Sequence, residues 1–243
     1  MSAEPNQVVG VDGCRSGWIA VAGGAEPTTM RVFGSVQELW EAYSDASTIA
    51  IDMPIGMASG RQRRACDRAA HVALRLRRGA PSRVFPVPVR EVLALTVDAP
   101  YAEVLKLHRQ VGGRGLSQQA YHILPKIREL DALLQAVPDA RERIVEAHPE
   151  IAAARLNGGV PLPPKKESAG FERRLQVLEA VIPRARELYA TWRPLIRGAA
   201  QPDDLIDALL CWRVARRPRQ ERGTLPWGPT PHDATGLPMR IVF

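Results

Sequence analysis

Three features of this 243-residue sequence predict an α/β fold built on a mixed or parallel sheet. Two apolar runs, Val8-Val9-Gly10-Val11 and Ile49-Ala50-Ile51, are each closed by an aspartate, Asp12 and Asp52, and then by Gly13 or by Met53-Pro54. Continuous runs of β-branched and small residues with such punctuation read as strands buried on both faces. The segment between them reads as two further strands and a helix, so the first half of the fold has the order β-β-β-α-β.

The elements follow from local chemistry. Val8 to Asp12 is the first strand, Gly13 to Gly17 a turn, and Trp18 to Ala22 a second strand ending at Gly23-Gly24, which is hairpin grammar. Thr28 to Phe33 forms a third strand. Ser35 opens a helix as N-cap, with Glu38 three residues on completing a capping box. The fourth strand delivers Asp52. From Gly60 to about Pro138 the composition turns helical and basic with no strand of its own, which marks a helical insertion in one domain spanning 1–243. Residues 142–147 return to a strand pattern ending at Glu146-Ala147-His148-Pro149-Glu150, and helices are expected near 150–156, 168–190 and 202–217. Met239 to Phe243 reads as a last strand.

Bulk composition narrows the partners. Lys+Arg 33 against Asp+Glu 26 gives a formal charge of +7, which favours polyanions such as nucleic acid. The cysteines, Cys14, Cys66 and Cys211, are scattered and odd in number, so neither a disulfide framework nor a zinc knuckle is indicated. No apolar stretch is long enough to cross a bilayer and the N-terminus lacks an export pattern, so a cytoplasmic protein with no membrane partner is expected.

The acids carry the chemistry. A carboxylate at the mouth of a buried strand requires a cation, a donor set or a metal ion, and two of them on neighbouring strands indicate a site. Pro202-Asp203-Asp204-Leu205-Ile206-Asp207 adds a third acidic element. Complementing the helix dipole accounts for Asp203 and Asp204 but poorly for Asp207, one turn deeper among Leu205, Ile206, Leu209 and Leu210. Glu146 is a further candidate; with His148 and Glu150 it shares one side if the chain stays extended. Carboxylates converging from strands and a helix suit hard divalent cations, Mg²⁺ or Mn²⁺.

The set Val11-Asp12-Gly13-Cys14, Ile51-Asp52-Met53-Pro54-Ile55-Gly56, Glu146-Ala147-His148-Pro149-Glu150 and Asp203-Asp204-Leu205-Ile206-Asp207-Ala208 resembles domain of unknown function 429. Further matching pieces are Arg61-Gln62-Arg63-Arg64-Ala65-Cys66-Asp67, Val84-Phe85-Pro86, Gly115 to Ala120, Pro125-Lys126-Ile127 and Lys165-Lys166-Glu167, so the resemblance spans about Val8 to Phe243. It implies an RNase H-like α/β domain, a mixed five-stranded sheet flanked by helices, and a divalent-metal-dependent nuclease. Asp12, Asp52 and Asp207 fall on the elements that bear acids in that architecture, and Glu146 and Asp204 complete the expected metal and catalytic set. Lys126, Lys165 and Lys166 are expected to neutralise phosphate.

Two basic features bear on nucleic acid. If Gly60 to Arg78 is helical, Arg61, Arg64, Arg68, His71, Arg75 and Arg78 form one stripe able to track phosphates, beside an apolar seam of Ala65, Ala69, Val72 and Leu76. A solvated cationic face is the alternative. Gly112-Gly113-Arg114-Gly115-Leu116-Ser117 precedes a helix expected over Gln118 to Leu134, with Ser117 as N-cap; it reads as a capped turn, neither a Walker loop nor a dinucleotide fingerprint. Competing readings are an actin-like-fold phosphotransferase or ATPase, a non-catalytic nucleic-acid binder, and a small-molecule hydrolase. The first needs a second lobe, and the last a nucleophile elbow that the sequence lacks.

Overall fold

The computed structural model describes residues 7–74, 84, 86–165 and 167–243. They divide into two compact units. The first holds the N-terminal segment through Met53, Asp139–Gly223 and Val242–Phe243, and the second holds Pro54–Pro138 and Thr224–Ile241.

The first unit is an α/β layer structure. Its strands are β1 (Val8–Cys14), β2 (Gly17–Gly23), β3 (Pro27–Phe33), β4 (Thr48–Asp52) and β5 (Ile144–Glu146), in the order β3-β2-β1-β4-β5. β1, β2 and β3 pair antiparallel, whereas β4 and β5 run parallel to β1. This mixed five-stranded sheet, flanked by helices, has the RNase H-like arrangement that the resemblance implies. α1 (Val36–Tyr43) begins as expected at Ser35, whose hydroxyl accepts from the Glu38 N–H at 3.1 Å. The Glu38 carboxylate reaches back one residue further than a capping box requires and accepts from Gly34 N at 3.0 Å.

The numbering continues through the second unit with α2 (Ala65–Ala73), α3 (Tyr101–Gly112), α4 (Gln118–His122) and α5 (Leu124–Ala136), and no strand interrupts this region among the described residues. Two helices predicted as continuous are broken. Pro125 divides Gln118 to Leu134, since a residue without an N–H fits only a first turn, and Pro183 ends α8 so that α9 must start afresh. The first unit resumes with α6 (Pro138–Arg143), α7 (Pro149–Leu156), α8 (Ser168–Glu179), α9 (Ala185–Trp192) and α10 (Pro202–Arg216), and short strands at Thr224–Leu225 and Ile241–Val242 follow.

α10 is the helix that makes the site. It crosses β1, β4 and β2 and packs on α7 and α8. Ten of its fifteen residues are buried, which is why its sequence shows no amphipathic stripe. No helix among the described residues is long and apolar enough to cross a membrane.

Candidate metal centre

Asp12, two residues before the end of β1, and Asp52, the last residue of β4, are register partners in the parallel β1–β4 pair. Their backbones therefore lie about 4.8 Å apart and their side chains leave the sheet on one face. α10 covers that face. Gly10 allows its close approach, for a Cβ at Gly10 would stand 1.9 Å from Trp212 N and 2.2 Å from Ala208 O. Asp207, the residue before Ala208, is thereby brought to the two strand ends. One carboxylate oxygen from each of Asp12, Asp52 and Asp207 lies within 4.8 Å of the others.

Three acids this close raise one another's affinity for protons. Burial pushes Asp12 well above the usual carboxylate range, and the charges of Asp52, Asp207 and Asp204 push it further, against the pull of Lys165. Burial likewise drives Asp52 and Asp207 up to about 7, with Lys165 opposing the rise in both; Glu150 and Asp204 add to it at Asp52, and Asp52 and Glu150 at Asp207.

Lys165 is the ammonium placed against them. Its Nζ donates to Asp207 Oδ2 at 2.6 Å and pairs with Asp203 Oδ2 at 2.9 Å. Burial lowers its proton affinity, but the two aspartates outweigh burial and hold it above the ordinary lysine value. The chain before Lys165 is fixed by Arg174, which is 1% exposed. Arg174 donates to the carbonyls of Pro163 at 2.8 Å and Gly170 at 2.7 Å, and pairs with Glu150 at 2.5 Å.

Among the described residues one ammonium faces three carboxylates. Asp207 Oδ1 is buried and accepts no hydrogen bond from any of them, a state that costs about 1–3 kcal/mol or more for a charged group. Three hard oxygen donors in a common reach, on side chains that include the unmatched Asp207 carboxylate, fit a divalent cation of the Mg²⁺ or Mn²⁺ kind.

Residues 10–231 match the family described as "Protein of unknown function (DUF429)". The chain belongs to that family. No curated protein and no solved structure matches it significantly.

The other residues singled out from the sequence of this DUF429 protein are placed differently. Glu146 pairs with Ile51, not Asp52. Because side chains alternate along a strand, Glu146 leaves the sheet on the face opposite Asp12 and Asp52, which corrects its expected membership of the shell. The extended path through His148 and Glu150 is also corrected: α7 starts at Pro149, and Glu150 faces Arg174. Asp204 caps α10, accepting from Gln201 N at 2.8 Å, so it acts on the centre through its field. Lys126 lies in the first turn of α5, in the second unit. Lys166, Arg75 and Arg78 lie outside the described residues.

The arginine stripe is corrected too. α2 starts at Ala65, and Arg64 is 2% exposed, donating to Asp67 at 2.9 Å and to the Ile55 carbonyl at 3.2 Å. Val72, expected in the docking seam, is exposed, and Cys66 and Ala70 are buried instead, followed by Leu74 just past the helix end. Arg61 and Arg68 remain exposed.

Cys211 was not legible as part of the site. It lies one turn beyond Asp207 on α10, and burial followed by the charges of Asp52, Asp12 and Asp207 pushes its thiol well up, which keeps it a neutral wall of the centre. The Asp207–Cys211 spacing of i, i+4 was the available signal.

Proposed function

We propose that this protein is a divalent-metal-dependent phosphodiesterase that acts on nucleic acid. The observation that carries the reading is the meeting of Asp12, Asp52 and Asp207 with an unmatched buried oxygen on Asp207. Asp12, Asp52 and Asp207 would hold the ion. When bound, Mg²⁺ or Mn²⁺ supplies Lewis acidity toward a phosphoryl oxygen and lowers the pKa of water. The chain's own residues prepare that event. The parallel strands and α10 fix three carboxylates before the ion arrives, Cys211 contributes an uncharged apolar side, and Lys165 opposes the rise in the acids' proton affinity and is placed to meet developing negative charge on phosphate. The excess of basic residues supports a polyanionic substrate.

The purified protein should cleave at least one of single-stranded DNA, duplex DNA, RNA, hybrid or branched DNA with Mg²⁺ or Mn²⁺, and lose this activity in EDTA. Asp52→Asn should abolish cleavage. Equal turnover by that variant would remove the assignment.

A further inference from the structure

The positive charge is not spread over the chain. The second unit carries 15 Lys+Arg against 7 Asp+Glu, and the first 18 against 19. Within the second unit, two features far apart in sequence converge: the turn before α2 and the glycine turn after α3. Gly113 closes α3 in the left-handed region, at φ +68°, with its N–H on the Arg109 carbonyl. It has no side chain, and a Cβ there would sit 3.6 Å from Arg61 Nε, so Arg61 lies along the turn. Arg114, next in the chain, donates to the Gln62 carbonyl at 3.2 Å. Burial lowers the proton affinity of Arg114, and the neighbouring charge of Arg63 lowers it further, with Asp67 opposing. Three guanidiniums are thus gathered into one place.

Their neighbouring carboxylates are committed elsewhere. Asp67 pairs with Arg64, and Glu91 accepts from the Gly60 N–H at 2.9 Å. Arg61 and Arg63 are exposed, and neither forms an ion pair among the described residues. Two exposed arginines of the first unit are by contrast matched: Arg184 pairs with Glu187, and Arg186 with Glu172 and Glu179. Like charges held together, with Asp67 already paired to Arg64 and no ion pair to Arg61 or Arg63 among the described residues, leave room for an external anion, and guanidinium forks fit phosphate oxygens.

We propose that Arg61, Arg63 and Arg114 form a phosphate-binding patch that grips the backbone of nucleic acid. The identity of the polyanion rests on the nuclease reading; the patch itself does not. Since phosphate contacts hold without reading bases, the patch serves DNA and RNA of any sequence.

The test is binding of the full chain to labelled single-stranded DNA, duplex DNA and RNA in EDTA, over a series of salt concentrations. The triple variant Arg61→Ala/Arg63→Ala/Arg114→Ala should lose about tenfold or more in affinity regardless of sequence, and its log K against log salt slope should become shallower by about 2 to 3. Arg63→Glu alone, an exposed change that disturbs no hydrogen bond among the described residues, should weaken binding in the same direction if the triple variant fails to fold. Arg184→Ala/Arg186→Ala should bind as wild type. Unchanged affinity and slope in the patch variants, an equal loss in the Arg184/Arg186 control, or polyglutamate competing as well as DNA would each overturn the patch. Patch-dependent binding by a protein that cleaves nothing would remove the nuclease reading and leave the patch standing. Cleavage with binding insensitive to the patch would do the reverse.

Discussion

Each unit buries a carboxylate cluster, and the two are handled in opposite ways. In the second unit Asp233 has a fully buried side chain, yet it accepts from the backbone of Met57, Thr235 and Leu237, from the Thr235 hydroxyl and from Arg90 at 2.5 Å. Burial raises its pKa, but these donors outweigh it and hold Asp233 below the usual carboxylate range. Arg90 meanwhile grips Asp131 through both terminal nitrogens, at 3.1 and 2.6 Å. In the first unit, among the described residues, three acids share one lysine, remain raised, and leave an oxygen bare. Burial of acid is common to both. What separates a structural brace from a candidate site is whether the protein supplies enough donors to complete it.

Paired substitutions sharpen the contrast. Asp207→Asn should reduce metal-dependent cleavage about 100-fold or more, measured by single-turnover assay, while raising the melting temperature of the metal-free protein because a poorly compensated charge is removed. Asp233→Asn should act in the opposite sense. It should destabilise the fold by about 3 kcal/mol in denaturant titrations, since Arg90 loses a partner and three backbone donors lose an ionised acceptor, and should leave Mn²⁺ affinity intact. If Asp233→Asn is as harmless to stability as Asp207→Asn, the distinction between brace and site collapses.

A pH series separates the clusters next. Between the ordinary aspartate value of 3.8 and about 7, folded Asp52 and Asp207 retain protons that the unfolded chain releases. Their contribution to stability is present at low pH and is lost as pH rises through 7. In EDTA the melting temperature of wild type, relative to Asp207→Asn, should fall by about 4 °C or more between pH 5 and pH 8, and Mn²⁺ should reverse the fall. Referring each value to the variant cancels titration elsewhere, including buried His108, whose pKa is lowered by burial.

The smallest effect concerns Lys165. Lys165→Gln should tighten Mn²⁺ binding by about tenfold at pH 8, because the ammonium no longer competes with the ion for Asp207, and should lower the melting temperature of the metal-free protein. Isothermal titration reads the first and calorimetric melting the second. Weaker binding in the variant would show that Lys165 supports the ion rather than standing in for it.

Much of the first unit was legible because its signals are local. Apolar runs closed by Asp12 and Asp52, hairpin punctuation at Gly23-Gly24 and the cap at Ser35 each depend on a few neighbouring residues. Long helices were overextended because hydrophobic spacing continued through Pro125 and Pro183, where the backbone could not. Arg64 illustrates a deeper limit: the i, i+3, i+4 spacing made it look like one member of a solvated row, and only packing showed it buried against Asp67 and Ile55. Glu146 failed for want of register, since a displacement by one residue along β5 changes the face it occupies.

The sequence by itself determined the strand-helix order, the family, and the chemical kind of the acids at strand ends, since these follow from local pattern and residue type. Tertiary structure decided which acids meet. The β1–β4 register set Asp12 beside Asp52, and the contact of α10 with Gly10 brought in Asp207. It also decided which charges have partners. Both outcomes depend on distances between segments far apart in the chain, and residue spacing carries no direct measure of those.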